Sequence, residues 1–190
     1  EHPDGRNIMG IHLEGPFLSY AKRGAQKAEA LQRPNIEMLR SLNEISGGKV
    51  KLITVAPEIE GALEFIREAK DVCTVSLGHS TASYDEAMAG FEAGATHVTH
   101  LFNGMQPFLH RDPGLVGAAL DCGAYVELIC DGFHIHPAMI MATYKMFGEK
   151  LIAEVIVIVL VGGVYKYLDK AYCLDVLVCT TVYFQKCHCG

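Results

Sequence analysis

Acidic and imidazole side chains follow several apolar runs of the sequence, each where the run ends. Glu14 closes the first run, His79 follows the third and His100 follows the fourth. Asp131 and His134 follow the fifth. One carboxylate and two imidazoles are a ligand set that suits a divalent ion with a free position for water. Each residue alone is typical of a hydrogen-bonded core side chain, so the interpretation depends on the joint pattern.

Two neighbouring histidines, His97 and His100, compete for one of these ligand positions. Side chains alternate along a strand, so residues three apart lie on opposite faces and at most one of the two faces the site. His100 is favoured because a polar turn, residues 101–104, follows it where the strand would end. His12 shares a strand face with Glu14, and we interpret it as a core residue or as a support for the ligands.

Short apolar runs rich in β-branched residues predict strands that are buried on both faces. They are residues 8–13, 50–55, 72–77, 97–101, 125–130 and 155–161. Helical patterns lie between several of them, at residues 35–42, 59–69, 84–93 and 137–147. Ser83 is a predicted N-cap for the third of these helices. The alternation predicts βα units and a parallel sheet.

A parallel sheet of this kind is either an open, doubly wound sheet or a closed barrel, and periodicity does not separate the two. The polar residues at the strand ends favour the barrel, because a β/α barrel directs the carboxyl end of every strand at one shared face. We therefore predict an α/β fold that is part of a (β/α)8 barrel, with about six parallel strands. A standard barrel needs eight, so this chain is not expected to close one alone.

Composition restricts the class of partner. The 190 residues carry a formal net charge of -6 and no dense block of Lys or Arg, which argues against nucleic acid and against an anionic membrane. The apolar run at residues 155–164 is much shorter than the roughly 20 residues of a membrane span. Seven cysteines without a CxxC pair, and no secretory start, predict reduced thiols in the cytoplasm.

Five ordered motifs resemble those of the N-acetylglucosamine-6-phosphate deacetylases, a family of amidohydrolases. They are residues 12–17 (HLEGPF), 78–80 (GHS), 99–105 (THLFNGM), 111–114 (RDPG) and 131–134 (DGFH). The resemblance covers about residues 8–152. It implies that residues 1–152 are part of an amidohydrolase barrel, and that residues 153–190 are a divergent tail containing a last strand and an irregular segment.

The resemblance implies a metal site and one side of a substrate pocket. Glu14, His79 and His100 would bind a divalent ion, Zn²⁺ or Fe²⁺. The loop of residues 22–26 would touch the substrate, with Ala25 in contact with it. Gln26 stands where some members of the family have a histidine near the acetyl carbonyl. The identity of the residue that polarises this carbonyl therefore stays open.

The resemblance also implies that residues on the other side of this pocket would bind a phosphorylated amino sugar. Asn103 and Gly104 would offer amide groups to the sugar phosphate, and Arg111 and His134 would neutralise its charge, with Asp131 in the same motif as His134. The guanidinium of arginine presents a planar fork of donors that matches phosphate oxygens. In the family the equivalent arginine reaches across a subunit interface, so the resemblance also implies a homodimer.

The implied reaction is hydrolysis of the acetamide of N-acetylglucosamine 6-phosphate to glucosamine 6-phosphate and acetate. The family uses an aspartate at the end of the last barrel strand as general base and then general acid. Counting from His134 places that position on Ile156, which cannot carry a proton. Glu154 lies nearby, but nothing around it resembles the family, and we do not assign it this role.

Two further interpretations stay open. The chain could act on a different amide as another amidohydrolase, although the motifs at residues 103–111 and 131–134 favour a phosphorylated sugar. It could instead be a non-catalytic sugar-phosphate-binding protein, which the missing aspartate favours and the metal ligands do not. In the tail, residues 187–189 (CHC) are a weaker metal candidate, because two thiols so close in sequence rarely complete a tetrahedral site alone.

Overall fold

A computed structural model describes residues 10–154 of the chain. Its sheet has six parallel strands that lie side by side in sequence order. They are β1 (Ile11–Glu14), β2 (Val50–Val55), β3 (Thr74–Leu77), β4 (His97–Val98), β5 (Tyr125–Ile129) and β6 (Leu151–Glu154). A doubly wound sheet reverses its strand order at a switch point, whereas a β/α barrel adds strands in sequence. The order therefore confirms part of a β/α barrel.

Five α-helices connect these strands. They are α1 (Ile36–Ile45), α2 (Ala62–Ala69), α3 (Tyr84–Ala93), α4 (Gly114–Asp121) and α5 (Pro137–Phe147). The predicted N-cap is confirmed, because the Ser83 hydroxyl accepts from the amide of Glu86 and the Glu86 carboxylate accepts from the amide of Ser83. Among residues 10–154, every helix is too short or too polar to span a bilayer.

The sheet curls around a buried polar interior. The Thr54 hydroxyl of β2 lies 2.7 Å from the hydroxyl of Thr99, which follows β4, although β3 runs between these strands. Gly78 makes the approach possible, because a Cβ there would lie 3.0 Å from both Thr54 Cγ2 and Thr99 Cβ. Ser76 and His12 extend the same network, each 2.7 Å from one of the two threonine hydroxyls. Side chains of non-adjacent strands meet only on the inner face of a curved sheet.

Two observed elements, α4 and β6, have no counterpart at their positions among the predicted elements. Helix α4 was not predicted, because Gly114 and Gly117 are poor helix formers and tertiary packing decides this segment. A Cβ at Gly117 would lie 2.4 Å from Pro113 Cβ, so the local turn has no room for a side chain. Strand β6 precedes the predicted strand at residues 155–161, and that range lies outside the described residues.

Candidate metal centre

Three side chains predicted as ligands converge at the carboxyl edge of the sheet. Glu14 ends β1, and His79 and His100 each stand two residues after the last residue of β3 and β4. The Nε2 atoms of His79 and His100 lie 2.6 and 3.0 Å from Glu14 Oε1, and 3.0 Å from one another. The three side chains are almost fully buried. Within residues 10–154, this is the group of histidine, cysteine and acidic residues with a geometry that could hold a metal ion.

The outer nitrogens of the two imidazoles are fixed by backbone carbonyls. His79 Nδ1 lies 2.6 Å from the carbonyl oxygen of Lys22, and His100 Nδ1 lies 3.1 Å from that of Asn103. A carbonyl oxygen only accepts, so both Nδ1 atoms carry the proton and donate it. In a neutral imidazole the other nitrogen, Nε2, then presents a lone pair. This arrangement is typical of histidines that bind metals.

The donor set fits a divalent cation. Two imidazole lone pairs and one carboxylate oxygen face each other at 2.6–3.0 Å, and they repel unless positive charge lies between them. Ligand atoms at about 2.0 Å from a tetrahedral ion would be roughly 3.3 Å apart, so small side-chain shifts accommodate one. Burial raises the pKa of Glu14, but a proton on either neighbouring imidazole lowers it by more, so the net shift is downward.

Both histidines of the candidate centre occupy a backbone conformation that L-amino acids rarely adopt. The φ angles are +49° at His79, +31° at His100 and +75° at Phe102. Such conformations cost of order 1–3 kcal/mol and persist only where the surroundings enforce them. The Ser19 amide donates to the carbonyl of His79 at 2.9 Å, and the Asn103 amide donates to that of His100 at 2.9 Å. The strained turns redirect both imidazoles after their strands end.

The loop of residues 22–26, predicted to touch the substrate, lies against the metal centre. A Cβ at Gly24 would be 3.2 Å from His79 Cε1, so the close approach needs a glycine. Gln26 Nε2 donates to the backbone carbonyl of Glu14 at 3.2 Å. Ala25, between them, is exposed. The loop thus supports two ligand residues and presents Ala25 at the surface.

The turn of Asn103 and Gly104 contacts the same ligand from the other side. Gly104 has a φ of +61°, and a Cβ there would lie 3.1 Å from His79 Nδ1. The side-chain amide nitrogen of Asn103 is buried and has no hydrogen-bond partner among the residues described. A buried amide without a partner is costly, so this donor is well suited to an oxygen of a bound molecule.

Asp131 and His134 form a pair after β5. Asp131 Oδ1 accepts from the amides of Phe133 and His134 at 2.8 and 2.9 Å, and Oδ2 lies 2.7 Å from His134 Nδ1. These bonds, with the backbone amides foremost, lower the pKa of Asp131 to about 2. Because both carboxylate oxygens are engaged within the turn, Asp131 orients the His134 ring, whose Nε2 is left to contact other groups.

Three of the residues singled out in the sequence remain, Arg111, Ile156 and His12. Arg111 is exposed and lines a shallow surface cleft with Tyr84 and Asp121, so the structure does not bring it to the three ligands within one chain. Ile156 lies outside the described residues. His12 is fully buried below Glu14, and burial lowers its pKa to about 4, so it is a neutral core residue as predicted.

One functional candidate was missed. Glu58 follows β2 and accepts hydrogen bonds from Ser80 and Thr81, the two residues directly after His79. A polar residue just after a strand is the signal that identified the other site residues, and Glu58 carries the same signal.

The comparisons with known proteins agree on one kind of enzyme. No protein-family model matches the chain. The N-acetylglucosamine-6-phosphate deacetylase of Bacillus subtilis (strain 168) is 43% identical over 135 residues, which are 70% of this chain and 34% of that protein. The N-acetylgalactosamine-6-phosphate deacetylase of Escherichia coli O157:H7 is 42% identical over 136 residues, 70% of this chain and 36% of that protein.

A solved structure gives the same result. It is a mutant N-acetyl-D-glucosamine-6-phosphate deacetylase of Mycobacterium smegmatis in complex with N-acetyl-D-glucosamine-6-phosphate. The match has a TM-score of 0.73 and 37% identity, and covers 76% of this chain and 39% of that one. The chain thus spans between about a third and two fifths of the length of the proteins it matches.

Proposed function

Since this chain is a relative of the N-acetylglucosamine-6-phosphate deacetylases over most of its length, we propose that it belongs to a metal-dependent hydrolase of that specificity. The reaction removes the acetyl group of N-acetylglucosamine 6-phosphate and releases glucosamine 6-phosphate and acetate. The observation that carries the proposal is the convergence of Glu14, His79 and His100, with both Nε2 lone pairs directed at one carboxylate oxygen. The cytoplasmic location predicted from the sequence goes with this proposal.

Glu14, His79 and His100 would hold the divalent ion, Zn²⁺ or Fe²⁺. When bound, such an ion polarises the acetyl carbonyl and lowers the pKa of water from about 16 to about 7. The protein's part is to hold the proton of each imidazole on Nδ1, through the carbonyls of Lys22 and Asn103, so that Nε2 is the nitrogen available to the ion. The buried interior below the ligands keeps the site at low dielectric, which strengthens its electrostatic interactions.

A proton acceptor is needed beside the attacked carbonyl, and its position follows from a regularity of the strands. His79, His100 and Asp131 each stand two residues after the last residue of their strand. Glu154 of β6 pairs with Ile129, the last residue of β5, and position 156 is two residues further along the sequence, where the chain has isoleucine. This count supports the prediction that the aspartate of the family would fall on Ile156. We propose that the chain lacks this proton carrier and hydrolyses its substrate slowly.

The substrate would lie over the outer edge of the metal centre. Ala25 and Gln26 border it on one side, and the free side-chain donor of Asn103, with the neighbouring Gly104, borders it on the other. His134, oriented by Asp131, would face the phosphate. Arg111 lies away from the ligands of its own chain, which supports the proposal that it serves the site of a second subunit in a homodimer.

Two amino sugars are candidates for the hexose of the substrate. The match to an N-acetylgalactosamine-6-phosphate deacetylase is nearly as strong, at 42% identity against 43%. The described residues contain the metal ligands and the proposed phosphate contacts, and both sugars carry the same acetamide and phosphate. N-Acetylgalactosamine 6-phosphate is therefore the second candidate substrate.

Binding of the phosphate tests this proposal directly. In the zinc-loaded chain, N-acetylglucosamine 6-phosphate should bind at least about tenfold more tightly than N-acetylglucosamine, because one charge-assisted hydrogen bond is worth about 1.5–3 kcal/mol. Isothermal titration calorimetry with both sugars, and with N-acetylgalactosamine 6-phosphate, measures the difference. Equal affinity for the phosphorylated and unphosphorylated sugars would contradict the proposed substrate class and favour another amidohydrolase.

A further inference from the structure

A half-buried carboxylate outside the ligand set contacts the turn that carries His79. Glu58 follows β2, the strand between those that carry Glu14 and His79. Its Oε1 accepts from the amide of Thr81 at 2.6 Å and from the Thr81 hydroxyl at 2.9 Å. Its Oε2 accepts from the Ser80 hydroxyl at 2.7 Å. Both oxygens are therefore bound to the two residues directly after a proposed metal ligand.

This turn needs external support, because His79 has a left-handed backbone. The carbonyl of His79 accepts from the Ser19 amide at 2.9 Å, and the Ser80 amide donates to the carbonyl of Gly104 at 2.9 Å. The amide of Ala82 donates to the Ser80 hydroxyl at 2.9 Å. Glu58 accepts the remaining hydrogen bonds of this turn, from Ser80 and Thr81. Hydrogen bonds to a charged acceptor are about twice as strong as those to a neutral one.

We infer that Glu58 is a positioning residue, which holds the turn of Ser80 and Thr81 so that His79 keeps its Nε2 directed at the metal centre. The inference rests on the proposed function. A carboxylate near the site could alternatively replace the proton carrier missing at position 156. The contacts argue against this, because both oxygens of Glu58 already accept hydrogen bonds, and Glu58 is not in the ligand cluster.

Cobalt(II) binding tests this inference without any need for catalysis, since the visible absorption of Co²⁺ reports both affinity and ligand geometry. We expect Glu58→Ala to weaken Co²⁺ binding by about 10- to 100-fold, as loss of a support for a metal ligand does elsewhere, and to alter the spectrum at saturation. Glu64→Ala is the matched control. Glu64 is an exposed glutamate on the following helix, α2, and it pairs with Arg67 at 3.5 Å. That variant should bind Co²⁺ within about twofold of wild type.

Glu58→Gln separates positioning from folding. It keeps one oxygen for the Thr81 amide, so it should fold, and its affinity for Co²⁺ should fall by about tenfold. Wild-type affinity and an unchanged spectrum in Glu58→Ala would overturn the inference while leaving the proposed function intact. The same holds if Glu58→Ala is unfolded and Glu58→Gln binds Co²⁺ like wild type. Failure of the wild-type chain to bind Co²⁺ would overturn the proposed function and the inference with it.

Discussion

Replacing His100 with alanine should lower the affinity of the chain for zinc by about 100-fold or more. The reason is that His100 Nε2 supplies one of three ligand atoms that lie within 3.0 Å of each other. Loss of a residue that merely supports a ligand costs about 10- to 100-fold, so loss of the ligand itself should cost at least as much. Competition with a chromophoric chelator measures the affinity.

His97→Ala is the matched control for this prediction. His97 lies in the same strand region, but its ring stacks on Tyr125 at 5.1 Å and its Nδ1 lies 2.9 Å from the Thr96 hydroxyl, away from the ligands. This variant should bind zinc like wild type, although it loses some stability. If both substitutions weakened zinc binding equally, His100 would have no special role and the proposed ligand set would be wrong.

Replacing Ile156 with aspartate should raise the rate of acetate release from N-acetylglucosamine 6-phosphate by about 100- to 10,000-fold in the zinc-loaded chain. This is the usual contribution of a well-placed general acid and base. The prediction follows from the two-residue spacing between strand ends and site residues on β3, β4 and β5. Coupled detection of acetate gives the rates.

Ile156→Asn controls for the change of shape and polarity, since asparagine resembles aspartate in size but does not carry the proton. It should leave the rate close to that of wild type. If aspartate and asparagine gave the same rate, position 156 would not be the place of the proton carrier. Rapid turnover by the wild-type chain would show that another group already performs this step.

The order and type of most elements were predictable from the sequence, and the ends were less so. Strand β2 matches its predicted bounds, because most of its residues are apolar or β-branched and turn residues flank it on both sides. The predicted strand at residues 97–101 is only two residues long, because His100 turns into a left-handed conformation. Nothing in a histidine side chain signals such a turn, since it is tertiary contacts that enforce it.

The convergence of the ligands was predictable because chemistry and topology agree. Parallel strands of a barrel bring their carboxyl ends to one face, and two imidazoles with one carboxylate have a shared use there. Alternation along a strand does not by itself separate His97 from His100, however. The strand ends at Val98, and the turn that follows sets the direction of His100.

The supports of the site were not predictable, because they join residues far apart in sequence. The bond from His79 to the carbonyl of Lys22 spans 57 positions, and no local pattern reveals which carbonyl meets which ring. Gly24 and Gly104 illustrate the same limit. Their lack of a side chain matters because both lie against His79, a contact that only the fold creates.

X-ray absorption fine structure at the zinc edge tests the central claim most directly, that Glu14, His79 and His100 together hold one divalent ion. The purified chain loaded with one equivalent of zinc should show only nitrogen and oxygen neighbours at about 2.0–2.2 Å, with the multiple scattering of two imidazoles. A sulfur neighbour at about 2.3 Å would place the ion on cysteines, such as those of residues 187–189, and would contradict the account.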